Sequence, residues 1–137
     1  MSLLNLEIVT PEKRAYSGSA RMVVVPGAEG ELGILPEHMP LMTQILPGEV
    51  QVTTEGGEEL FLAVGEGFVE VTPERVSVLT DMAIEEADID ESAVAEAVAR
   101  AEQELRDRAL AGEELATVQA SLLKSLAQLR VKRRGRH

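Results

Sequence analysis

The spacing of apolar residues changes once along this chain of 137 residues, near Ala83. Before that point apolar and polar residues alternate, a period typical of β-strands with one buried face. After it, apolar residues recur every three or four positions, which is typical of amphipathic helices. We therefore predict an all-β N-terminal sandwich of about ten short antiparallel strands over residues 1–84, followed by a C-terminal antiparallel α-helical hairpin over residues 85–137.

Turn signals separate the strand-like runs, as at Pro47-Gly48 and Gly65-Glu66-Gly67. The second of these lies between two strands and lacks a third glycine, so it indicates a turn rather than a nucleotide-binding loop. The predicted strands contain Leu6–Ile8, Met22–Val25, Val50–Val52, Leu60–Val64, Val69–Val71 and Val76–Val78.

Capping and glycine signals mark the ends of the two predicted helices. Asp88, with Glu91 three residues later, is typical of a capping box that begins the first helix. Gly112 can adopt the left-handed backbone conformation that commonly ends a helix, so we expect it to end the first helix. Each helix carries one apolar stripe: Val94, Val98, Ala101 and Leu105 in the first, and Leu115, Val118, Leu122, Leu126 and Leu129 in the second.

Alanine makes up 11 of the 53 residues from Glu85 to His137. It favours helix formation, but each alanine buries little apolar area. We expect a hairpin that keeps its shape while adhering loosely to the sandwich, so that a partner can displace it. A hairpin permanently docked through a thin interface is the alternative that the sequence leaves open.

The formal net charge is −11, yet residues 117–137 carry six basic and no acidic side chains. This basic end predicts attraction to an anionic partner. Stabilisation of a helix C-terminus by cations is the simpler explanation. Five of the basic residues exceed what one helix end requires: Arg130, Lys132, Arg133, Arg134 and Arg136.

Composition excludes several kinds of catalyst. The chain has no cysteine, which excludes disulfides, thiolate metal sites and cysteine nucleophiles. Its two histidines, His38 and His137, are too few for a histidine zinc site. Neither a P-loop nor a Gly-x-Ser-x-Gly elbow is present. An acid–base pair among the carboxylates stays open, because no spacing singles one out, but we expect no enzyme activity from the chain alone.

Two other function classes have some support in the sequence. The basic end could bind nucleic acid or an anionic membrane, but it lacks interleaved aromatic residues and the rest of the chain is acidic. A small-molecule enzyme would need a pocket of converging carboxylates. We expect no nucleic-acid partner and no metal. The absence of a membrane-length apolar run or a signal sequence predicts a cytoplasmic location or the cytoplasmic face of an assembly.

The stretch from Val25 to Met42, VPGAEGELGILPEHMPLM, resembles the signature of the ε subunit of F-type ATP synthases. Shorter matches to that family lie at Pro47–Val52, Gly67–Val71, Val76–Asp81, Gln119–Ser121 and Ala127–Val131. The resemblance implies a non-catalytic central-stalk subunit that couples rotation of the c-ring, through γ, to ATP synthesis. It also implies a peripheral location on the cytoplasmic face of the bacterial inner membrane, with membrane association only through the complex.

The resemblance implies roles for particular residues of the sandwich. The family's contact surface for γ and the c-ring corresponds to Glu31, Glu37, His38 and Met39. Alternatively, Glu31 is a solvated turn residue and His38 an ordinary surface contact.

In the family, the hairpin is a regulatory arm that inhibits ATP hydrolysis. Arg130, Lys132, Arg133 and Arg134 would meet an acidic segment of the β subunit, close to α. Whether the arm rests folded or extended is left open.

Some family members bind ATP on the folded hairpin. Ile89 and Asp90 match their motif, whereas Ala93 replaces the motif's arginine; Arg100 could substitute for it. The resemblance therefore implies ATP as a weak regulatory ligand and no other cofactor. The simpler explanation is that Ile89 and Asp90 only begin the helix.

Overall fold

The structure is a computed structural model that describes residues 2–134. Nine strands precede two helices in this part of the chain, which confirms the predicted fold class. The strands are β1 Leu4–Val9, β2 Arg14–Gly27, β3 Gly30–Ile34, β4 Leu41–Ile45, β5 Gly48–Thr54, β6 Glu59–Val64, β7 Gly67–Val71, β8 Arg75–Thr80 and β9 Ala83–Glu85. A 3₁₀ turn, Glu86–Asp88, leads to α1 Glu91–Asp107 and α2 Gly112–Arg134.

The strands pair in the order β1-β8-β7-β4-β2-β5-β6-β9, and β3 pairs with β2. An additional β1–β2 pairing closes the path on itself. Strand β2 has 14 residues, and its pairing is irregular between Ala20 and Met22. The part before this irregularity pairs with β1, and the part after it pairs with β3 and β5. A strand that passes between two sheets at a bulge forms a corner of a sandwich. This strand therefore joins the two layers covalently.

The prediction of purely antiparallel pairing is wrong at one position. Strands β1 and β8 run parallel, with Asn5 opposite Arg75 and Val9 opposite Leu79. Antiparallel pairing is forced only on strands joined by a hairpin, and these two strands lie at opposite ends of the β region. They meet because the path of strands closes.

The core between the layers is aliphatic, as the alternating pattern predicts. Its largest fully buried side chains are Leu4, Leu6, Ile8, Ile34, Ile45, Leu62, Val23, Val25, Val50, Val52, Val64 and Val69. Among the described residues, Thr80 is the one buried polar residue, and its hydroxyl accepts a hydrogen bond from Gly65 N–H at 3.1 Å. This bond ties the turn after β6 to the end of β8.

Two predicted helix ends are wrong. Asp90, not Asp88, caps α1: its carboxylate accepts a hydrogen bond from Ala93 N–H at 3.1 Å. A cap needs an extended backbone, which Asp90 has, whereas Asp88 belongs to the 3₁₀ turn. The first helix ends at Asp107, and Gly112, with φ of 59°, begins α2 instead of ending α1.

The hairpin lies folded against the sandwich, with α2 on the outer face of β5 and β6. On α1, Val94 and Val98 of the predicted stripe are buried, whereas Ala101 and Leu105 are only half-buried. On α2 the predicted stripe is only partly correct, because Leu129 is buried but Leu126 is 38% exposed. The cluster between hairpin and sandwich consists of Ala63, Ile89, Val94, Val98, Ala127, Leu129 and Val131.

Tyr16 on β2 provides a test of the fold in solution. Burial raises the pKa of the Tyr16 phenol above its ordinary value of 10.0, and the negative charge of Glu85 raises this pKa further. Folding therefore favours the protonated phenol. This contribution to stability is fully present below about pH 10 and is lost as the pH rises through the higher folded-state pKa.

The chain has one tyrosine and no tryptophan, so phenolate absorbance reports Tyr16 alone. We predict a titration midpoint above 10.0 in buffer and near 10.0 in concentrated urea. In the wild-type chain, the free energy of unfolding should fall above about pH 10 as the Tyr16 phenol ionises. The Tyr16→Phe variant has no phenol and should lack this fall. Equal midpoints in buffer and urea would contradict the packing described for this side chain.

Candidate functional site

The segment predicted to contact other subunits forms the loop between β3 and β4. Glu37 N–H donates to the Pro73 carbonyl at 2.8 Å, and His38 N–H donates to the Leu35 carbonyl at 3.2 Å. Glu37 has a φ of 68°, a left-handed conformation that is uncommon outside glycine. These bonds fix the loop and leave the Met39 side chain 79% exposed.

His38 and Glu31 occupy different surroundings. His38 is half-buried, and its Nδ1 lies 2.7 Å from the Met39 carbonyl oxygen, which orients the ring within the loop. Glu31 is exposed on β3, and its side chain forms no hydrogen bond or ion pair with residues 2–134. It lines a shallow groove of about 220 Å³ beside Leu41 and Thr43. The two side chains are therefore not joined into one polar site.

An apolar patch lies on the outer face of β4, β7 and β8. Phe68 and Leu79 face each other across β7 and β8 and are 55% and 51% exposed. Met42, 63% exposed, lies on the same face of the neighbouring strand. We call these three residues the exposed apolar face. Large exposed apolar side chains gathered on one face of a soluble domain indicate a site of interaction with another protein.

The sequence analysis missed this face. The available signal was the presence of Phe68 and Leu79 at outward positions, where the alternating pattern of a solvated strand places polar residues. A groove of about 380 Å³ adjoins the face and is lined in part by Val9, Pro11 and Leu79. The exposed surface therefore continues beyond the three residues.

Three of the four predicted contact cations on α2 have partners within the chain. Arg134 Nε lies 2.6 Å from Glu49 Oε2, and Arg133 Nε lies 3.2 Å from Glu91 Oε2. Lys132 Nζ donates to the Glu86 carbonyl at 3.1 Å. Only Arg130, which is exposed, makes no such contact with the described residues. Arg136 lies outside the described residues.

The residues predicted to bind ATP do not converge on one site. Ile89 is buried between hairpin and sandwich, and the Asp90 carboxylate is engaged in capping α1. Arg100 lies ten residues beyond Asp90, roughly 15 Å by the helical rise, in a groove beside Thr117. ATP binding stays a prediction.

Residues 2–134 provide neither a cluster of metal-ligating side chains nor a membrane-spanning helix. They contain no group of three or more histidine and carboxylate side chains that could hold a metal ion. No helix in this part of the chain is long and apolar enough to cross a membrane.

Comparison with known proteins gives a family. Residues 3–86 match the family model described as the ATP synthase, Delta/Epsilon chain, beta-sandwich domain. The ATP synthase epsilon chain of Alkalilimnicola ehrlichii is 47% identical over 136 residues, which cover 99% of this chain and 96% of that relative. The epsilon chain of Halorhodospira halophila is 46% identical over 131 residues, covering 95% and 92%.

Solved structures share the fold. The Euglena gracilis mitochondrial ATP synthase (OSCP/F1/c-ring) contains a chain that superposes with a TM-score of 0.79 at 20% identity, covering 100% of this chain and 83% of that one. A chain in the central stalk and c-ring structure of the Tetrahymena thermophila mitochondrial ATP synthase superposes with a TM-score of 0.55 at 16% identity, covering 98% of this chain and 96% of that one. With the curated relatives matched over almost their whole length, the chain belongs to the ATP synthase epsilon-chain family.

Proposed function

We propose that this subunit couples rotation of the c-ring, through the γ subunit, to ATP synthesis, and that its helical arm restrains ATP hydrolysis. The observation that carries the first part is the exposed apolar face on a sandwich whose strands close on themselves. Phe68 and Leu79 are already about half buried, so burying their exposed halves against γ would contribute about 1 kcal/mol per side chain.

A subunit that transmits torque must resist deformation. Strand β2 joins both layers, and the β1–β2 pairing leaves the main circuit of strands without a free edge. The tightly packed aliphatic core has low compressibility. These features support the sandwich as the stiff part of the subunit.

For the c-ring contact we propose the β3–β4 loop and Glu31. Met39 is the most exposed large apolar side chain of the described residues, and the fixed loop presents it without further ordering. Glu31, Glu37 and the imidazole of His38 offer polar contacts around it. This contact would hold the subunit at the cytoplasmic face of the bacterial inner membrane as a peripheral protein of the complex.

For the arm we propose that the cations Arg130, Lys132, Arg133 and Arg134 contact acidic surface of the β subunit, close to α. Charge complementarity across such an interface directs association and specificity. Each exposed pair contributes about 0–1 kcal/mol and weakens with salt. Inhibition by this contact would therefore be graded.

The contact with γ is tested by Phe68→Ser and Leu79→Ser. Each variant should bind purified γ about fivefold more weakly, because a buried apolar contact is lost. Leu123→Ser is the matched control: Leu123 is 50% exposed but lies on α2. Binding of both sandwich variants at wild-type strength would exclude the exposed apolar face as the γ contact.

Arg130 tests the inhibitory contact without disturbing the folded arm, since it has no partner among residues 2–134. We predict that Arg130→Gln weakens inhibition of ATP hydrolysis in the assembled complex by up to about fivefold, an effect that diminishes with salt. Neutralising all four cations should raise hydrolysis further. Arg106→Gln on α1 is the control, and equal ATPase rates in all variants would refute the electrostatic contact.

A further inference from the structure

The apolar contact that docks α2 on the sandwich is built partly from alanine. Its buried side chains are Ala127, Leu129 and Val131 from α2 and Ala63 from β6, and the partly buried side chains packed against them include Phe61, Met82, Ile84 and Leu122. Because alanine contributes little apolar area, polar contacts at the end of α2 add to what keeps the helix docked.

The shortest of these polar contacts joins Arg134 to Glu49 on β5. Arg134 Nε lies 2.6 Å from Glu49 Oε2, and the Glu49 side chain is only 8% exposed. The Arg134 guanidinium also lies 5.2 Å from the centre of the Phe61 ring, in a cation–π contact. A charge-assisted bond at a shielded carboxylate is stronger than an exposed ion pair.

Neighbouring cations of α2 have partners of their own. Lys132 binds the Glu86 carbonyl in the turn before α1, and Arg133 pairs with Glu91 of α1, whose side chain is 19% exposed, so these two contacts lie within the arm. Almost three turns before Arg134, Lys124 Nζ lies 3.0 Å from Oδ2 of Asp81, which belongs to the sandwich. We call the group centred on Glu49, Phe61 and Arg134, with Lys132 and Arg133 beside it, the cationic clasp.

We propose that the cationic clasp holds the arm folded and withholds its cations from other acidic partners, with Glu49 as the internal competitor. The second part of this proposal, that the cations are withheld from other partners, rests on the inhibitory function proposed above. Glu49 occupies the Nε–H of Arg134 while α2 is docked, so full engagement of this guanidinium by another carboxylate requires its release from Glu49. Arg130, which lies outside the clasp, stays available for a first encounter while the arm is folded.

The first experiment measures folding of the arm in the full-length chain alone. Because the chain has no cysteine, Gly56→Cys and Ala111→Cys, both at exposed positions, allow a donor and an acceptor dye to be attached for energy transfer. We expect Glu49→Gln and Arg134→Gln each to raise the ratio of released to docked arm about tenfold. The double variant should release little more than either single variant.

Glu55→Gln is the matched control, since it removes the same charge from an exposed turn. If Glu49→Gln releases the arm no more than Glu55→Gln does, the clasp is refuted whatever the arm does in the complex. Thermal unfolding of each variant checks that the sandwich is intact.

The second experiment measures ATP hydrolysis by the assembled complex. Glu49→Gln should deepen inhibition severalfold because it frees the arm with its cations intact, whereas Arg134→Gln should deepen it less because it frees the arm but removes one of those cations. Deletion of residues 85–137 shows whether the arm inhibits at all. If deletion raises hydrolysis but Glu49→Gln does not lower it, withholding is refuted. If deletion has no effect while Glu49→Gln still releases the arm, the clasp is supported and the inhibitory function fails.

Discussion

Burial of both faces of β6 determines how the two parts of the chain meet. Leu62 and Val64 face the sandwich core, while Ala63 faces the hairpin and is also fully buried. The small Ala63 side chain allows the helices to approach the sheet, and Phe61 beside it provides the ring under Arg134. Without an apolar outer face on this strand the hairpin would have no docking surface. The charge pair between Glu49 and Arg134 adds to this apolar docking at the end of α2.

Much of the fold follows from periodicity, and its failures have physical causes. Alternation predicted the strands that contain Val50–Val52, Val69–Val71 and Val76–Val78, because each has one face in the core. It did not identify β3, β4 or the first half of β2, where glycine and polar residues obscure the period. The parallel β1–β8 pair could not be predicted from periodicity, since it depends on closure of the whole path of strands.

The interaction surfaces were only partly predictable. Resemblance to the epsilon family indicated the β3–β4 loop and the basic end of the chain, and the structure adds the hydrogen bonds that fix the loop. The exposed apolar face required strand register, because only pairing places Phe68 beside Leu79. The partner of Arg134 could not be predicted from the sequence either. Glu49 is one acidic residue among 24, and folding alone brings it to the end of α2.

The central claim is that a stiff sandwich carries an arm that opens independently of it. Native-state hydrogen exchange of the full chain tests this claim directly, because local opening and global unfolding differ in free energy and denaturant dependence. The account predicts that amides of α1 and α2 exchange through an opening that leaves β2, β5 and β8 protected. If helix and strand amides exchanged with one free energy and one denaturant dependence, the arm would be an inseparable part of the sandwich, and the account would be wrong.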